Sequence, residues 1–161
     1  MCLALCLVLP FLTGQIPQIG STLCPMHLPV LLAGFLCGPW WALLAGAAAP
    51  LLRHLLFSMP PLVTAIAMSF ELAAYGAVSG YFSRKLSKNI AGTYIALIAA
   101  MISGRLLWGI VRVIMTGVSG EAFTWAIFLS AAFTTAIPGI IVQLILIPIL
   151  VSALRKANHI S

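Results

Sequence analysis

The chain has 161 residues, of which 63% are hydrophobic and 6% are charged, and its formal net charge is +6. Soluble globular domains carry about 25% charged residues, so the composition excludes a soluble enzyme, a disordered regulator and a nucleic-acid-binding module. Open sheets cannot span a bilayer, and the apolar runs lack the alternation of barrel strands. The sequence therefore predicts an all-α, polytopic membrane protein whose outer surface faces lipid, with residues 1–161 as a single membrane domain.

Apolar runs and the breaks between them predict six transmembrane helices. A spanning helix needs about 20 apolar residues, so a chain of this length holds about five to seven spans. Gly, Pro, Gln, Ser and Thr cluster in the loop at 13–26, and tighter breaks follow at 58–61 and 117–122. The helices are expected at residues 1–12, 27–37, 40–57, 62–82, 90–116 and 123–154.

Basic residues predict the orientation of these helices. Arg84, Lys85 and Lys88 lie between the fourth and fifth helices, and Arg155 and Lys156 follow the sixth. Two spans separate the clusters, so both lie on one side, which the positive-inside rule assigns to the cytoplasm. Both termini are then cytoplasmic, and the three loops, which contain no Lys or Arg, face outwards.

Small residues recur at helical spacing in the third and fourth helices, which predicts close helix packing rather than a specific partner face. These residues are Ala42, Ala45, Gly46, Ala49, Ala73, Gly76, Ala77 and Gly80.

Four charged residues, Arg53, Glu71, Arg105 and Arg112, lie within or near spans. A charge at the bilayer centre costs at least about 2.5–3.5 kcal/mol, so each needs a compensating partner or role. At a rise of about 1.5 Å per residue, all four converge on the outer half of the membrane. His54 adjoins Arg53.

A basic and aromatic face on the fifth helix favours an anionic organic ligand. Arg105 and Arg112 are seven residues apart on nearly the same face, and Trp108 lies near it. Arginine binds carboxylates bidentately, and tryptophan supplies a flat apolar wall with cation–π support. Alternatively, Glu71 and Arg105 form a structural ion pair, while Arg53 and Arg112 extend to the membrane surface.

The remaining reactive residues indicate no catalysis and no metal site. His27, placed where the first loop re-enters the membrane, and His54 are interpreted as polar wall. Cys2, Cys6, Cys24 and Cys37 form no CxxC pair and are interpreted as packing residues. No HExxH or GxSxG motif is present, and the two carboxylates, Glu71 and Glu121, lie on different elements. We therefore predict neither an enzyme nor a bound cofactor.

Four stretches carry a resemblance to a known family, and the similarity covers about residues 5–150. They are FLTGQIPQIGSTLCPMHLPVLLAGFLCGPWWALLAGAAAPLLRHLLFSMPPL, AIAMSFELAAYGAVSGYF, ISGRLLWGIV and AIPGIIVQLILIP. The chain resembles the substrate-binding S component of an energy-coupling factor (ECF) vitamin transporter, in the broad branch that includes pantothenate- and folate-type members.

The resemblance implies an ABC-type uptake system in the prokaryotic plasma membrane. The S component captures a micronutrient from outside, docks on a coupling membrane subunit with two ATPase subunits, and topples to release the ligand inwards. The loop at 14–26 and the break at 58–61 match the two lid loops. Docking in the family uses small residues on the first helix in an AxxxA-like pattern; the nearest spacing here is Ala4 and Val8, and Val8 departs from that pattern. The expected ligand-binding set is Arg105, Trp108, Glu71, Tyr75, Arg112, Arg53, His54, Gln15, Gln18 and His27.

The arginines favour an anionic ligand, and the family branch that the chain resembles then makes pantothenate the first candidate, while folate, other vitamins and a queuosine-type precursor stay open. Three alternative functions remain: a structural or assembly subunit without a ligand, a stand-alone vitamin transporter, and an intramembrane enzyme.

Overall fold

The computed structural model describes residues 2–12, 25–58, 60–86, 89–119 and 137–157, together with positions 126 and 130. Within these residues the chain forms an all-helical bundle of six helices, as predicted. They are α1 (Cys2–Leu12), α2 (His27–Cys37), α3 (Pro39–Phe57), α4 (Leu62–Lys85), α5 (Ile90–Ser119) and α6 (Ile137–Lys156). The expected start of the sixth helix at 123, most of the loop at 13–26 and residues 120–122 lie outside the described residues. The α5 helix continues to Ser119, beyond the expected end at 116, so residues 117–119 of the expected loop are helical.

Four of these helices, α3 to α6, are long and apolar enough to cross a membrane. The described parts of α1 and α2 are apolar but have 11 residues each, about 17 Å of helix against a hydrocarbon layer of about 30 Å. The α4 helix continues to Lys85, beyond the expected end at 82. Basic residues in a last helical turn are favourable because they complement the negative end of the helix dipole.

The α4 helix is the centre of the bundle. It packs against α2, α3 and α5, and its contacts with α3 and α5 are the most extensive in the described part of the chain. Its inward face combines small, polar and aromatic side chains, so the helix that organises the bundle also brings polar groups into it. The buried members of this face include Ser69, Glu71, Tyr75, Gly76 and Ser79.

Glycines allow α3 and α4 to pack backbone against backbone. A Cβ atom at Gly46 would collide with the backbone of Leu72 and Ala73, and one at Gly76 would collide with Ala42. At these two glycines the structure confirms the close packing that the small-residue spacing predicts.

Consecutive long helices run antiparallel, so the bundle has two distinct ends. At one end, α4 and α6 finish with exposed or half-exposed basic residues, and α3 and α5 begin. We call this the basic end and define it by Arg84, Lys85, Arg155 and Lys156. Gly38, with φ of 89°, joins α2 to α3 there and lies against the Arg84 guanidinium.

Candidate functional site

Three helices bring an acid, a base and an imidazole together away from the basic end. Glu71 Oε1 on α4 lies 3.1 Å from Arg105 Nη1 on α5 and 3.3 Å from His27 Nε2 at the start of α2. Glu71 and His27 are each 2% exposed, and Arg105 is 8% exposed. We call these three residues the ion cluster. The Glu71–Arg105 contact is the pair that the sequence suggested.

The ion cluster exists because a buried carboxylate needs a compensating charge in an apolar medium. An unpaired buried ion is strongly unfavourable, whereas a paired one is tolerated when further polar contacts complete the arrangement. Tyr75, one turn after Glu71, packs its ring edge-on against His27, with 4.9 Å between the ring centroids. A Cβ atom at Gly104 would meet the Tyr75 ring and the Glu71 carbonyl oxygen. Glycine beside Arg105 therefore lets α5 approach α4 closely enough for the ion pair to form.

Arg112 and Trp108 extend the polar line of α5 away from the ion cluster. Seven residues of helix place Arg112 about 10 Å beyond Arg105 along the axis. The Arg112 guanidinium carbon lies 5.8 Å from the centre of the Trp108 ring. Its Nε is buried with no hydrogen-bond partner, and within the described part of the chain Arg112 forms no ion pair. Glu121 lies outside the described residues.

Arg53 and His54 are not part of the ion cluster. Arg53 Nη1 donates a hydrogen bond to the Leu7 carbonyl of α1 at 3.0 Å, and its guanidinium lies over the Phe11 and Phe57 rings at 5.2 and 5.6 Å. Arg53 is only 4% exposed, so its guanidinium packs against α1 and the two rings. It ties α3 to α1.

His54 stabilises the turn after α3. Its Nδ1 donates a hydrogen bond to the Pro60 carbonyl at 2.8 Å, and its own carbonyl accepts one from the Ser58 N–H, also at 2.8 Å. Through these two hydrogen bonds, His54 of α3 stabilises Ser58 and Pro60 of the expected lid loop at 58–61.

The remaining expected site residues lie either away from the ion cluster or outside the residues that the structure describes. Gln15 and Gln18 lie outside the described residues. Ala4 and Val8, the expected docking residues, are exposed on α1. The Cys6 thiol is buried and lies 3.8 Å from the Met26 carbonyl, as expected of a packing cysteine. Within the described ranges no three His, Cys, Asp or Glu side chains gather where they could hold a metal ion.

Sequence reasoning missed the role of His27 as a direct partner of Glu71. The available signal was its position as the first residue of a helix otherwise made of apolar and small residues. Only the packing of α2 on α4 turns that position into a contact.

Together, the fold and the ion cluster define a polytopic helical membrane protein with an intramembrane ionisable site. Such sites are expensive in a bilayer and are functional-site candidates by default. The chain belongs to the family of ECF transporter substrate-specific components, whose family model matches residues 1–151. This is a family of transporter components and not an enzyme class. Searches of curated proteins and of solved structures found no match.

Proposed function

We propose that the chain captures a small anionic micronutrient in the outer half of the membrane for uptake driven by two partner ATPase subunits. The observation that carries this proposal is the ion cluster. Beyond it on α5, Arg112 and Trp108 extend the line of polar and aromatic side chains. Within the ion cluster, the Glu71 carboxylate and the Arg105 guanidinium cancel in charge. Arg112 then adds one positive charge to the same helix face, where it complements one ligand carboxylate.

Arg112 is the favoured contact for that carboxylate. The guanidinium of Arg105 already faces Glu71 at 3.1 Å, whereas Arg112 faces an aromatic ring and has a buried Nε without a hydrogen-bond partner. Arginine binds carboxylates through two parallel hydrogen bonds, and Trp108 offers a flat wall for the apolar part of the ligand. Pantothenate, a compact monocarboxylate, fits this chemistry and the branch of the family that the sequence resembles. Folate-type ligands are the next candidates.

A ligand screen with the purified protein tests the charge preference. A ligand at 100 times its Kd stabilises the folded state by about 2.7 kcal/mol, so an upward shift of Tm reports binding. We expect pantothenate or another carboxylate vitamin to raise Tm, and Arg112→Gln to remove that shift. Arg84→Gln, the same substitution at an exposed position of the basic end, is expected to keep it. Stabilisation by neutral compounds alone would overturn the proposal.

The closed geometry of the ion cluster favours a second candidate, a structural or assembly subunit without a ligand. All three members of the cluster are at most 8% exposed, as in a purely structural network. Uptake separates the two candidates. A ligand-binding component gives labelled-vitamin uptake that Arg112→Gln abolishes without loss of folded protein. A structural subunit gives uptake that is unaffected by Arg112→Gln whenever the protein folds.

Expression with and without the coupling and ATPase subunits separates a coupled S component from a stand-alone transporter. Uptake that needs the partner subunits supports the coupled mechanism, and full uptake by the chain alone contradicts it. Docking through α1 is tested by Val8→Trp, with Ile110→Trp on α5 as the control, because both side chains are 56% exposed. We expect Val8→Trp alone to weaken co-purification with the coupling subunit.

The proposed orientation places the basic end in the cytoplasm. Cys37, exposed at the end of α2, is a native reporter for this end. In a chain carrying Cys2→Ala and Cys24→Ala, a membrane-impermeant maleimide should label Cys37 in inside-out vesicles and not in right-side-out vesicles. The reverse pattern would invert the assignment.

A further inference from the structure

A cavity of about 440 Å³ lies at the basic end, where α5 begins and α6 finishes. It is at the opposite end of α5 from Arg112. Its polar lining comes from Asn89, which directly precedes α5, from Thr93 on α5, and from Ser152 and Arg155 on α6. The proposed capture of a micronutrient does not use it.

Hydrogen bonds hold the polar groups of this cavity in place. Arg155 Nη1 donates to Thr93 Oγ1 at 3.3 Å, and Thr93 Oγ1 donates to the Asn89 carbonyl at 3.2 Å. Thr93 is 3% exposed, so the arginine of α6 is fastened to a buried hydroxyl in the first turn of α5. The guanidinium is thereby held beside the start of a 30-residue helix.

The electrostatics of the cavity favour an anion. The first N–H groups of a helix lack partners within the helix, and the dipole places partial positive charge there. The first backbone hydrogen bond of α5 joins the Thr93 N–H to the Asn89 carbonyl at 3.1 Å. The N–H groups without a partner inside the helix are therefore those of the helical residues before Thr93. These include Ile90 and Ala91, which line the cavity. Arg155 adds a full positive charge from the other wall.

The surroundings indicate that this anion is attached to hydrocarbon. Both wall helices are membrane-span candidates. Ile90, at the cavity, and Ile149, one residue after the cavity-lining Pro148, are 64% and 57% exposed. Exposed aliphatic side chains therefore lie directly beside the polar lining of the cavity. A phospholipid has the same arrangement, a phosphate headgroup attached to acyl chains. Basic pockets between transmembrane helices are known to take anionic lipid headgroups.

We propose that this cavity binds the phosphodiester group of an anionic phospholipid, with Arg155 and Ser152 on α6 and the first turn of α5 as its contacts. The acyl chains lie along the aliphatic surfaces of α5 and α6. A bound lipid fills the space between these two helices at the basic end.

Native mass spectrometry of protein from nanodiscs tests this proposal. The nanodiscs contain phosphatidylcholine with or without phosphatidylglycerol as the anionic probe. We expect the wild-type protein to retain one phosphatidylglycerol molecule and Arg155→Gln to retain at least tenfold less. Arg84→Gln removes the same charge from the same end outside the cavity, and is expected to retain as much as the wild type. Equal retention by all three proteins would overturn the proposal.

Two further arms separate a lipid headgroup from free phosphate and from a simple loss of positive charge. Inorganic phosphate and glycerol 3-phosphate, added to protein in detergent, should not raise Tm, whereas phosphatidylglycerol should. If the soluble phosphates raise Tm as much, the site is for free phosphate and the proposal is wrong. Ser152→Ala repeats the test without a charge change, and a weaker retention of phosphatidylglycerol than in wild type is expected. A far-UV circular dichroism spectrum and a monodisperse size-exclusion peak, both unchanged from wild type, show that each variant is folded.

Discussion

The two ends of this bundle use arginine in opposite ways. In the half that contains Arg53 and Arg105, both guanidinium groups are buried. Arg53 contacts a carbonyl and two aromatic rings, and Arg105 contacts a carboxylate. At the basic end, Arg84 is exposed, and Arg155 lies half-buried at the rim of a cavity. A buried arginine holds helices together and a surface arginine orients the chain, so the cost of removing each charge should differ between the two ends.

The largest expected effect is the loss of one partner in the ion cluster. Arg105→Gln leaves the Glu71 carboxylate buried without its nearest counter-charge, and breaking a buried pair typically costs about 3–5 kcal/mol. We expect a large fall in Tm in detergent, measured against Arg84→Gln, which should stay within about 0.5 kcal/mol of wild type. The double variant Glu71→Gln/Arg105→Gln removes both charges and should recover much of the loss. A double variant as unstable as Arg105→Gln would contradict this account.

A smaller loss is expected at Arg53. The variant Arg53→Gln removes a charge-assisted hydrogen bond to the Leu7 carbonyl, and such bonds contribute about 1.5–3 kcal/mol. The loss should loosen α1 in particular, because Arg53 links α3 to that helix. Faster hydrogen exchange confined to α1, with the rest of the bundle unchanged, is the expected result. Uniformly faster exchange in all helices would show that Arg53 supports the whole fold.

The α3–α4 contact connects both ends, and its glycines predict a destabilisation of intermediate size. Gly46→Ala forces a methyl group against the backbone of Leu72 and Ala73, and overpacking of this kind costs about 1–3 kcal/mol. Gly117→Ala is the matched control, since nothing lies within 4 Å of the added Cβ. There alanine should stabilise the helix by about 0.5–1 kcal/mol. Tm shifts of the same sign in both variants would contradict the packing.

The smallest effect is expected at the exposed part of the basic end. Lys85 donates a hydrogen bond to the Tyr81 hydroxyl at 3.2 Å on the surface of α4. Exposed pairs one helical turn apart contribute about 0.3–0.5 kcal/mol. Lys85→Gln should therefore leave Tm almost unchanged. A fall in Tm comparable with that of Arg105→Gln would remove the distinction between the two ends.

Much of the fold could be predicted because helix formation in a bilayer depends on local composition. The apolar runs and the breaks at Gly38 and Pro60 lie close to the observed helix ends, since each helix must satisfy its own backbone hydrogen bonds in lipid. The end of α4 was placed early because polar Ser83, Arg84 and Lys85 continue the helix beyond the apolar span.

The candidate site was predictable in part. Glu71 and Arg105 were singled out because a charge in an apolar span is unfavourable in free energy and needs a partner. The rise per residue of a helix then placed both in the same half of the membrane. The same reasoning grouped Arg53 with them, although its partner is the Leu7 carbonyl on α1. The sequence predicts how deep in the membrane a residue lies along its helix. It does not predict which other helix the side chain contacts.

The sequence by itself determined the membrane class, the helical architecture and the family, because composition, apolar run length and family motifs are properties of the chain. Only the tertiary structure decided that His27 joins Glu71 and Arg105, that Arg53 instead fastens α1, and that Arg155 meets Thr93 beside a cavity. Each of these contacts joins helices that are distant in sequence. Their existence depends on how closely the backbones approach and how the helices are rotated, which small residues such as Gly46 and Gly104 permit but do not specify.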